Sequence, residues 1–581
     1  MWSALSSAGH GLVSNSAGPG SYSCTNDALR SSASFTALGP TRALEFGKQI
    51  TKAYVLATVA SDNAAVSPYA KRQRYQTLQW QAHTPLLFAS RTLRDGDILI
   101  GGIFPIHDGS LHKAFTFTEE PAQQMRCEKL ISDYYQWFQV MVFAIEEINS
   151  HSELLPNMTL GFRIYDSCMM IQHAIKGTLW MLTGLEEPIP NYQCSRTHPP
   201  AAIIGETTSS ISVVMARILG LYQHPQISYS ASSSLLSDRN QFPSFFRTMP
   251  SDDFQAQGLV QLLIHFGWTW IGLLAEDSDY GQQGAHIVQE ELTRAGACVA
   301  FFETIPTNRV ESNTFHIAWV IKNSTANVVV IFSTDYIMIP LLDELVQQRV
   351  TGKTWVSTDG WTTSTLLSDE KYSEILSGTL GFDINSGHVH SLGEYFTKIN
   401  PLNSPDYFYI RQFWEVVFGC KWPDPEVPLN MQNSTTVMCT GNEKLDSVYA
   451  HLNNFTTFRI KYNIYTAVRA TANALHDMMS CRSGSGPFYN GICVDSADFQ
   501  PWQLLHYIRN VRLPRKDITE VFFDKDGNPP PRYDIVNWQK WPQGTVWHRK
   551  VGEYDGSAPI GETLLFNVSA LLWTKGSRKV R

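Results

Sequence analysis

The sequence lacks the short motifs by which common enzymes and metal sites are recognised. None of its nine cysteines belongs to a C-x-x-C pair, which argues against zinc ribbons and thioredoxin-like redox sites. It contains no G-x-S-x-G and no H-E-x-x-H, the signatures of common hydrolases and zinc proteases. His388 and His390 have no clear third ligand in the sequence, so we interpret them as part of a surface loop. We therefore expect no catalytic site, no metal and no cofactor.

Long apolar runs and an excess of positive charge are also absent. No run of about 18 or more apolar residues occurs, so no segment is predicted to span a bilayer as a helix. The formal net charge of −8 argues against nucleic acid as a partner. The first residues lack the order of a signal peptide and are rich in Ser, Ala, Gly and Thr. We predict a poorly ordered extension over residues 1–95.

The cysteines and glycosylation sequons that are present indicate an extracellular protein. Asparagine is followed by x-Ser or x-Thr at Asn157, Asn323, Asn433, Asn454 and Asn567. A single sequon arises by chance, but several of them together with spaced cysteines favour an oxidising compartment. We expect this chain on its own to be secreted or luminal.

Alternating apolar strands and amphipathic helices predict an α/β fold. At 581 residues the chain is too long for a single core, so we expect two or more domains. Segments such as "TWIGLLAEDSDYGQQGAHIVQEELTRAG" follow the order strand, loop, helix. This order predicts parallel sheets, in which ligands bind beyond the carboxyl ends of the strands.

One predicted strand end forms a candidate cradle for an anion. The apolar run 201–204 is interrupted by Gly205, and Thr207 and Ser209 then lead into a segment with helical spacing. Free backbone N–H groups and the positive end of the helix dipole point outward at such a helix start, where they favour a carboxylate or phosphate. Ordinary helix capping is the simpler interpretation of this part alone.

The following strand extends this pattern. It also ends in hydroxyl residues, among them Ser230 and Ser232, and Asp252 lies close behind. Donor clusters after two adjacent strands suit an anionic group, and the nearby carboxyl suits a cationic one. The combined set predicts a site for a small zwitterion.

Long strings in the sequence carry a family resemblance. They include "GGIFPIH", "FAIEEINS", "LPNMTLGFRIYDSC", "EDSDYGQQG" and "TGKTWVSTDGW". From about residue 96 to about 539 the chain resembles the Venus-flytrap ligand-binding domain of class C G-protein-coupled receptors. On "QFWEVVFGC" and "YDIVNWQ" it looks most like type-2 vomeronasal, or fish olfactory, receptors, with calcium-sensing and taste receptors close behind.

The resemblance implies an α/β fold of two lobes, a periplasmic-binding-protein-like (type I) Venus flytrap with parallel sheets flanked by helices. The expected ranges are 96–247 for the first part of lobe 1, 248–382 for lobe 2, 383–512 for the second part of lobe 1, 513–540 for a return to lobe 2, and 541–581 for a connector toward an absent cysteine-rich domain.

The resemblance also implies an L-amino acid bound between the lobes and driving their closure. The residues that fall where the family holds the ligand carboxylate are Thr207, Ser209 and Ser232. The residues that fall where it holds the α-ammonium are Ser230, Asp252, Tyr280 and Asp359. Asp359 is one carbon shorter than the glutamate of several relatives. Glu206 is a second departure, because an acid beside the cradle would repel the ligand unless it turns away or is paired.

Side-chain selectivity is expected at the first helix. Asp133 and Trp137 fall where relatives place residues near the distal end of the ligand. We hypothesise that Asp133 favours basic amino acids. A surface ion pair with Lys129 is an equal alternative.

The resemblance further implies disulfide bonds and partners. The implied pairs are Cys127–Cys168, Cys420–Cys439 and Cys481–Cys493. Cys194 falls in a loop that links protomers in some relatives, so Leu185–Pro199 is a candidate dimer contact. Cys298 pairs in relatives with the cysteine-rich domain, and we expect it to be unpaired here. The expected partner is a second class C subunit, in a homo- or heterodimer. Coupling to a G protein is expected only through a membrane domain outside this chain.

Two alternatives remain open at this stage. The chain is a soluble or truncated product that binds ligand without signalling, or it is part of a full-length receptor at the cell membrane. A taste- or calcium-sensing-type ectodomain is the alternative to the vomeronasal type.

Overall fold

The computed structural model describes residues 91–109, 127, 129–151, 153–184, 199–307, 313–364, 366–385, 387–402, 408–423, 437–445, 455–495, 499–513, 521–540, 546–559 and 561–573. These residues belong to one compact unit of the chain. They form two lobes, and each lobe is built around a sheet with helices on both faces. The predicted α/β class with two lobes and parallel sheets is confirmed.

The strands of the first lobe are β1 (Arg91–Arg94), β2 (Ile98–Phe104), β3 (His107–Asp108), β4 (Lys129–Leu130), β5 (Leu160–Asp166), β6 (Ile203–Ile204), β7 (Gln226–Ser228), β8 (Phe245–Arg247), β14 (Arg512–Leu513) and β15 (Val521–Phe522). Its helices are α1 (Ser132–Ser150), α2 (Ile171–Thr183), α3 (Ser209–Leu221), α9 (Leu392–Lys398), α10 (Phe408–Phe418), α11 (Phe455–Met479) and α12 (Pro501–Asn510).

The sheet of the first lobe has the order β1-β5-β2-β6-β7-β8 and is parallel except for β1. One face packs against α1 and α11 in a large apolar cluster that includes Ile100 and Phe104. The other face packs against α2 and α3, where Ile103 and Ile203 are buried. Because both faces are covered, the strands are apolar runs rather than alternating ones.

The strands of the second lobe are β9 (Trp270–Glu276), β10 (Cys298–Ile305), β11 (Val328–Phe332), β12 (Thr354–Ser357), β13 (Leu380–Ile384), β16 (Arg532–Lys540), β17 (Val546–Asp555) and β18 (Leu564–Phe566). Its helices are α4 (Asp252–His265), α5 (Asp279–Arg294), α6 (Thr314–Asn323), α7 (Asp335–Gln347) and the short α8 (Ser373–Leu376).

The second sheet has the order β10-β9-β11-β12-β13-β16-β17-β18. Its first five strands are parallel, and β16, β17 and β18 extend it with antiparallel pairs. The chain passes between the two sheets at three places: between β8 and α4, between β13 and α9, and between β15 and β16. These three crossovers connect the two lobes and are the segments where a hinge between them would lie. The first runs through residues 248–251.

Three observed strands lie in the two segments that were expected to form a poorly ordered extension and a connector. β1 falls within residues 1–95, expected to be poorly ordered, and it pairs with β5. β17 and β18 fall within residues 541–581, expected as a connector, and they widen the second sheet. Most residues of β17 are exposed or half-buried and several are charged, so its sequence has no apolar run to mark it. Residues 1–90, 541–545, 560 and 574–581 of these two segments lie outside the described part of the chain.

The three implied disulfide bonds are present, joining Cys127 to Cys168, Cys420 to Cys439 and Cys481 to Cys493. Cys298 carries a free, exposed thiol, as expected. Cys194 lies outside the described residues. Among the described helices, none is both long and apolar enough to cross a membrane.

Three sequon asparagines can be placed. Asn157, Asn323 and Asn567 are all exposed, as a glycan requires, and their glycosylation stays a prediction. Asn433 and Asn454 lie outside the described residues.

Candidate functional site

The candidate site lies beyond the carboxyl ends of the parallel strands, where the two lobes face each other. In the first lobe β6 ends at Ile204 and β7 at Ser228, and in the second lobe Asp359 follows shortly after β12. A direct hydrogen bond joins the lobes beside these ends, because Ser233 Oγ donates to Gln283 Oε1 at 2.7 Å. The site therefore occupies the position at which open parallel sheets bind their ligands.

Thr207 and Trp137 meet at Tyr229 in the first lobe. The hydroxyls of Thr207 and Tyr229 are 2.8 Å apart. The ring of Trp137 packs edge-on against Tyr229 with centroids 6.1 Å apart, and the ring of Tyr134 lies 4.5 Å from that of Trp137. Burial raises the pKa of Tyr229 well above its ordinary value, so its hydroxyl stays protonated. These side chains form an aromatic wall next to the predicted carboxylate cradle.

The loop after β7 brings the other hydroxyl residues together. Ser233 donates its backbone N–H to Ser209 Oγ at 3.2 Å, which ties the loop to the start of α3. The carbonyl of Ser232 accepts from the backbone N–H of Asp252 at 2.8 Å. Ser230 is half-buried, and its N–H bonds weakly to the hydroxyl at the end of β7 at 3.4 Å. The predicted carboxylate-binding and ammonium-binding residues are thus neighbours in one loop system.

Asp252 is a fully buried carboxyl at the start of α4, held there because Ser251 caps the helix by accepting from the N–H of Asp253. Neither carboxyl oxygen of Asp252 meets a well-aligned donor among the described residues, although the Ser232 hydroxyl lies near enough to act on it. Burial and the charge of Asp359 raise the pKa of Asp252 well above its ordinary value, which Arg247 offsets only in part.

Asp359 and Tyr280 form the second-lobe side of the same group. Gln255 donates its side-chain N–H to Asp359 Oδ1. The hydroxyl of Tyr280 donates to Thr358 Oγ1 at 2.7 Å and lies 3.4 Å from Asp359 Oδ1. Burial raises the pKa of Asp359 to about 6, against the lowering effect of these hydrogen bonds. Asp252, Tyr280 and Asp359 are therefore brought together, with two carboxyls and little positive charge to balance them.

Glu206 does not face the ligand site as an unpaired acid. It is fully buried, accepts from Ser167 Oγ at 2.6 Å, and accepts from the N–H of Thr208 at 3.0 Å. Burial raises its pKa to about 7, while these donors act in the opposite direction. Glu206 was expected either to turn away from the ligand or to be paired, and the structure shows it paired with these two donors.

Asp133 is half-buried at the start of α1 and does not depend on Lys129. Gln136 approaches its Oδ1 at 3.4 Å, and burial raises its pKa while Lys461 lowers it. Lys461 is buried on α11 and donates to Gln136 Oε1 at 2.6 Å. Burial lowers the pKa of Lys461 to about 8, and the charge of Asp133 partly offsets this. The basic neighbour of Asp133 thus comes from a helix more than 300 residues later, since the Lys129 side chain is exposed on β4.

Sequence reasoning missed several residues that shape the site. They are Gln255, which bonds Asp359, the interlobe pair Ser233 and Gln283, the buried Lys461, and the buried Arg247 at the end of β8. Arg247 alone left a signal, because an arginine at the end of an apolar strand is unusual unless it is paired. The others depend on contacts between distant segments.

A group of metal-ligating residue types also occurs away from the cleft. Cys127, Cys168 and His173 lie close together. The two sulfurs are joined in a disulfide, which leaves no thiolate to bind a metal. This group is structural.

Comparison with known proteins gives consistent matches. Residues 136–540 match the family model described as "Receptor family ligand binding region". The chain is 36% identical to the human extracellular calcium-sensing receptor over 514 residues, covering 84% of this chain and 48% of that protein. The mouse extracellular calcium-sensing receptor gives the same values. It is 31% identical to taste receptor type 1 member 2 of Gorilla gorilla gorilla over 482 residues, covering 79% of this chain and 52% of that protein. The chain therefore spans about half the length of these relatives.

Proposed function

Because the chain belongs to the class C G-protein-coupled receptors, as a ligand-binding region of that family, we propose that it binds an L-amino acid in the cleft between its lobes. The chain is a receptor domain and not an enzyme. In the full-length receptor it lies on the extracellular side of the cell membrane.

The observation that carries the proposal is the unsatisfied carboxyl of Asp252. A buried carboxylate with no well-aligned donor among the described residues is costly, and a second carboxyl, Asp359, lies close enough to raise the pKa of Asp252 further. An α-ammonium group would supply both charge and three donors at this point. Tyr280 borders the same position and adds a ring face on which the ligand backbone can pack.

The opposite end of the ligand is assigned to the first lobe. Thr207, Ser209 and Ser232 supply hydroxyls around the start of α3, where the helix dipole favours an anion. A carboxylate site and an ammonium site in a single cleft are the two recognition groups that an α-amino acid requires. A ligand that contacts both lobes at once has higher affinity for the closed state, and this difference drives closure.

A thermal-shift panel tests the proposal. The full chain, secreted from a eukaryotic host, is heated with each of the twenty L-amino acids, and binding to the native state raises the melting temperature. We expect some amino acids to stabilise the chain, and we expect Ser232→Ala combined with Asp252→Ala to abolish the effect.

Asp343→Ala is the matched control, because this second-lobe carboxyl is bonded to Lys371 and Tyr372 rather than facing the cleft. It should keep the ligand-induced shift. A well-folded chain that no amino acid stabilises would overturn the proposal, as would a shift that survives the double substitution.

The receptor type is proposed from the resemblance to type-2 vomeronasal receptors, which makes the chain a chemosensory domain. A calcium-sensing or taste-type ectodomain is the alternative, supported by the identities to those relatives. Calcium titration separates the alternatives. A calcium-sensing type is expected to be stabilised by millimolar Ca²⁺ without amino acid, and a chemosensory amino-acid site is not. A soluble product that binds ligand without signalling remains a further alternative.

Dimerisation with itself or with another class C subunit is part of the proposal, with Cys194 as the covalent link. Non-reducing electrophoresis of the secreted chain and of Cys194→Ser checks it. A dimer band that disappears with the substitution supports the link, and a monomer in both contradicts it. Signalling to a G protein is assigned to a membrane domain outside this chain.

Side-chain selectivity is proposed to rest on Asp133 and Trp137. Asp133 would favour the cationic end of arginine or lysine, although the buried Lys461 reduces its net negative charge. Asp133→Asn should lower the affinity for L-arginine about threefold relative to that for L-leucine, within the range of a partly screened ion pair. An unchanged ranking of the two ligands would contradict this role.

A further inference from the structure

Arg247 is a buried cation beside the ligand loop. The side chain is fully buried, and no carboxylate lies within ion-pair distance of it among the described residues. Its guanidinium donates hydrogen bonds to neutral acceptors instead. A guanidinium presents five donors in a fixed fork, so its position determines where those acceptors must lie.

The acceptors of Arg247 bracket Ser232. Nη1 donates to the carbonyl of Ala231 at 3.2 Å and to the carbonyl of Ser233 at 2.9 Å. The carbonyl between them, that of Ser232, accepts from the backbone N–H of Asp252. Three consecutive carbonyls of the loop are thereby held by two residues that flank the first crossover.

Arg247 also reaches the third crossover. Nε donates to Asn528 Oδ1 at 2.7 Å, and the backbone N–H donates to the carbonyl of Gly527 at 3.1 Å. Both residues lie in the segment between β15 and β16, which carries the chain from the first lobe to the second. Nη2 completes the set with Ser237 Oγ. The Arg247 side chain therefore joins the loop that carries Ser232 to the third crossover, and Arg247 itself stands directly before the first crossover in the chain.

We propose that Arg247 is a positioning residue that fixes the carboxylate-binding loop to the hinge, so that ligand contact at Ser232 is transmitted to lobe closure. The inference rests on the proposed function, since it assigns Ser232 to the ligand carboxylate. It adds the connection between ligand contact and hinge, which Arg247 makes without touching the ligand.

Arg247→Lys tests the role because lysine keeps the charge but cannot serve acceptors on both sides of Ser232 and at Asn528 with one fork. The probe is the L-amino acid that stabilises the unaltered full chain most. We expect its dissociation constant to rise at least tenfold. We also expect a smaller closure change on ligand addition, measured as the decrease in radius of gyration by small-angle X-ray scattering.

Arg239→Lys is the matched control. Arg239 also donates to backbone carbonyls, those of Phe242, Pro243 and Phe245, but it does not contact the carbonyls around Ser232. Its substitution should lower the melting temperature about as much as Arg247→Lys while changing the dissociation constant less than threefold. Equal losses of affinity in the two variants would overturn the proposal.

A ligand-independent measurement separates this inference from the proposed function. Hydrogen exchange of the ligand-free chain should show faster exchange in both 228–237 and 523–530 for Arg247→Lys, since the two segments share one anchor. If no amino acid binds the unaltered chain but exchange becomes faster in both segments, the proposed function is wrong and the role of Arg247 in joining the two segments is supported. Unchanged exchange in either segment overturns the anchor.

Asn528→Ala covers the case in which Arg247→Lys does not fold. It removes the acceptor of Arg247 Nε, which is also the acceptor of Ser237 Oγ, and it leaves the bonds of Arg247 to the carbonyls of Ala231 and Ser233. We expect a threefold to tenfold rise in the dissociation constant and faster exchange in 228–237. Affinity and exchange equal to those of the unaltered chain would overturn the proposal.

Discussion

Two carboxyl groups in the cleft, those of Glu206 and Asp252, are both fully buried and differ in what surrounds them. Ser167 and Thr208 donate hydrogen bonds to Glu206, whereas Asp252 has no well-aligned donor among the described residues. Burial raises the pKa of both groups. The difference lies in the donors: Glu206 is satisfied within the first lobe, and the lack of well-aligned donors is the reason for proposing Asp252, rather than Glu206, as a ligand contact.

The two sides of the cleft differ in the same way as the two carboxyls. The first lobe offers hydroxyls that are already organised by internal bonds, such as that between Ser209 and the N–H of Ser233. In the cleft around Asp252, by contrast, the charge of Asp359 adds to burial in raising the pKa of Asp252, and the two carboxyls add to burial in raising the pKa of Tyr280. A neutral, organised pole suits a carboxylate, and an under-neutralised acidic pole suits an ammonium.

The largest expected effect separates the two carboxyls directly. Asp252→Asn should weaken amino-acid binding by about 2–5 kcal/mol, because it removes the charge that meets the ammonium in a desolvated site. Glu206→Gln should weaken binding much less and should lower the free energy of unfolding by about 1–3 kcal/mol, because its amide would set a donor against existing donors. Calorimetric titration and chemical denaturation measure the two quantities. Similar affinity losses in both variants would break the comparison.

The prediction of intermediate size concerns how stability and ligand affinity change with pH through Asp359. The folded, ligand-free chain raises the pKa of Asp359 from 3.8 to about 6, so it holds this proton more tightly than the unfolded chain does. The resulting contribution to stability is fully present below pH 3.8 and is lost as the pH rises through about 6. An ammonium ligand favours the ionised carboxyl, so its affinity should rise over the same interval.

The measurement is a set of dissociation constants between pH 5 and 7.5 for the chain and for Asp359→Asn. The substitution should reduce the slope of affinity against pH. The slope that remains should be the one caused by ionisation of Asp252. A slope unchanged by Asp359→Asn would contradict the assignment.

The smallest expected effect concerns the bond that crosses the cleft. Ser233→Ala removes the hydrogen bond to Gln283 and should weaken binding by about 0.5–1.5 kcal/mol, since the bond forms only when the lobes meet. Ser485→Ala is the control, because its hydroxyl bonds within a loop of the first lobe. Calorimetric titration measures the binding free energy of both variants. An equal loss of binding free energy in the two would exclude a role for Ser233 in closure.

Much of the fold could be predicted because the parallel strands are apolar runs with helices after them. β2, β9 and β11 follow that pattern, and their carboxyl ends indicated where the site would lie. β1 and β17 escaped prediction because β1 is a short edge strand and β17 is rich in charged and exposed residues, so neither contains an apolar run. An apolar run marks a strand that is buried on both faces, and neither β1 nor β17 is buried in that way.

The site was predictable at the residues that follow strand ends and not at those that support them. Ser209, Asp252 and Asp359 are local in sequence to their strands. Ser167, one of the two donors to Glu206, lies 39 residues away from it, and Lys461 lies 325 residues from Gln136. Such pairings depend on the assembled lobes, so local patterns carry no information about them.

Proton release on ligand binding tests the central claim most directly. Titration calorimetry at pH 6.5 in two buffers of different ionisation enthalpy counts the protons exchanged when an L-amino acid binds. Because the ligand-free cleft raises the pKa of Asp252 and Asp359, the account predicts net release of protons, reduced in Asp252→Asn. Binding without any proton release, or with release unchanged in the variant, would contradict it.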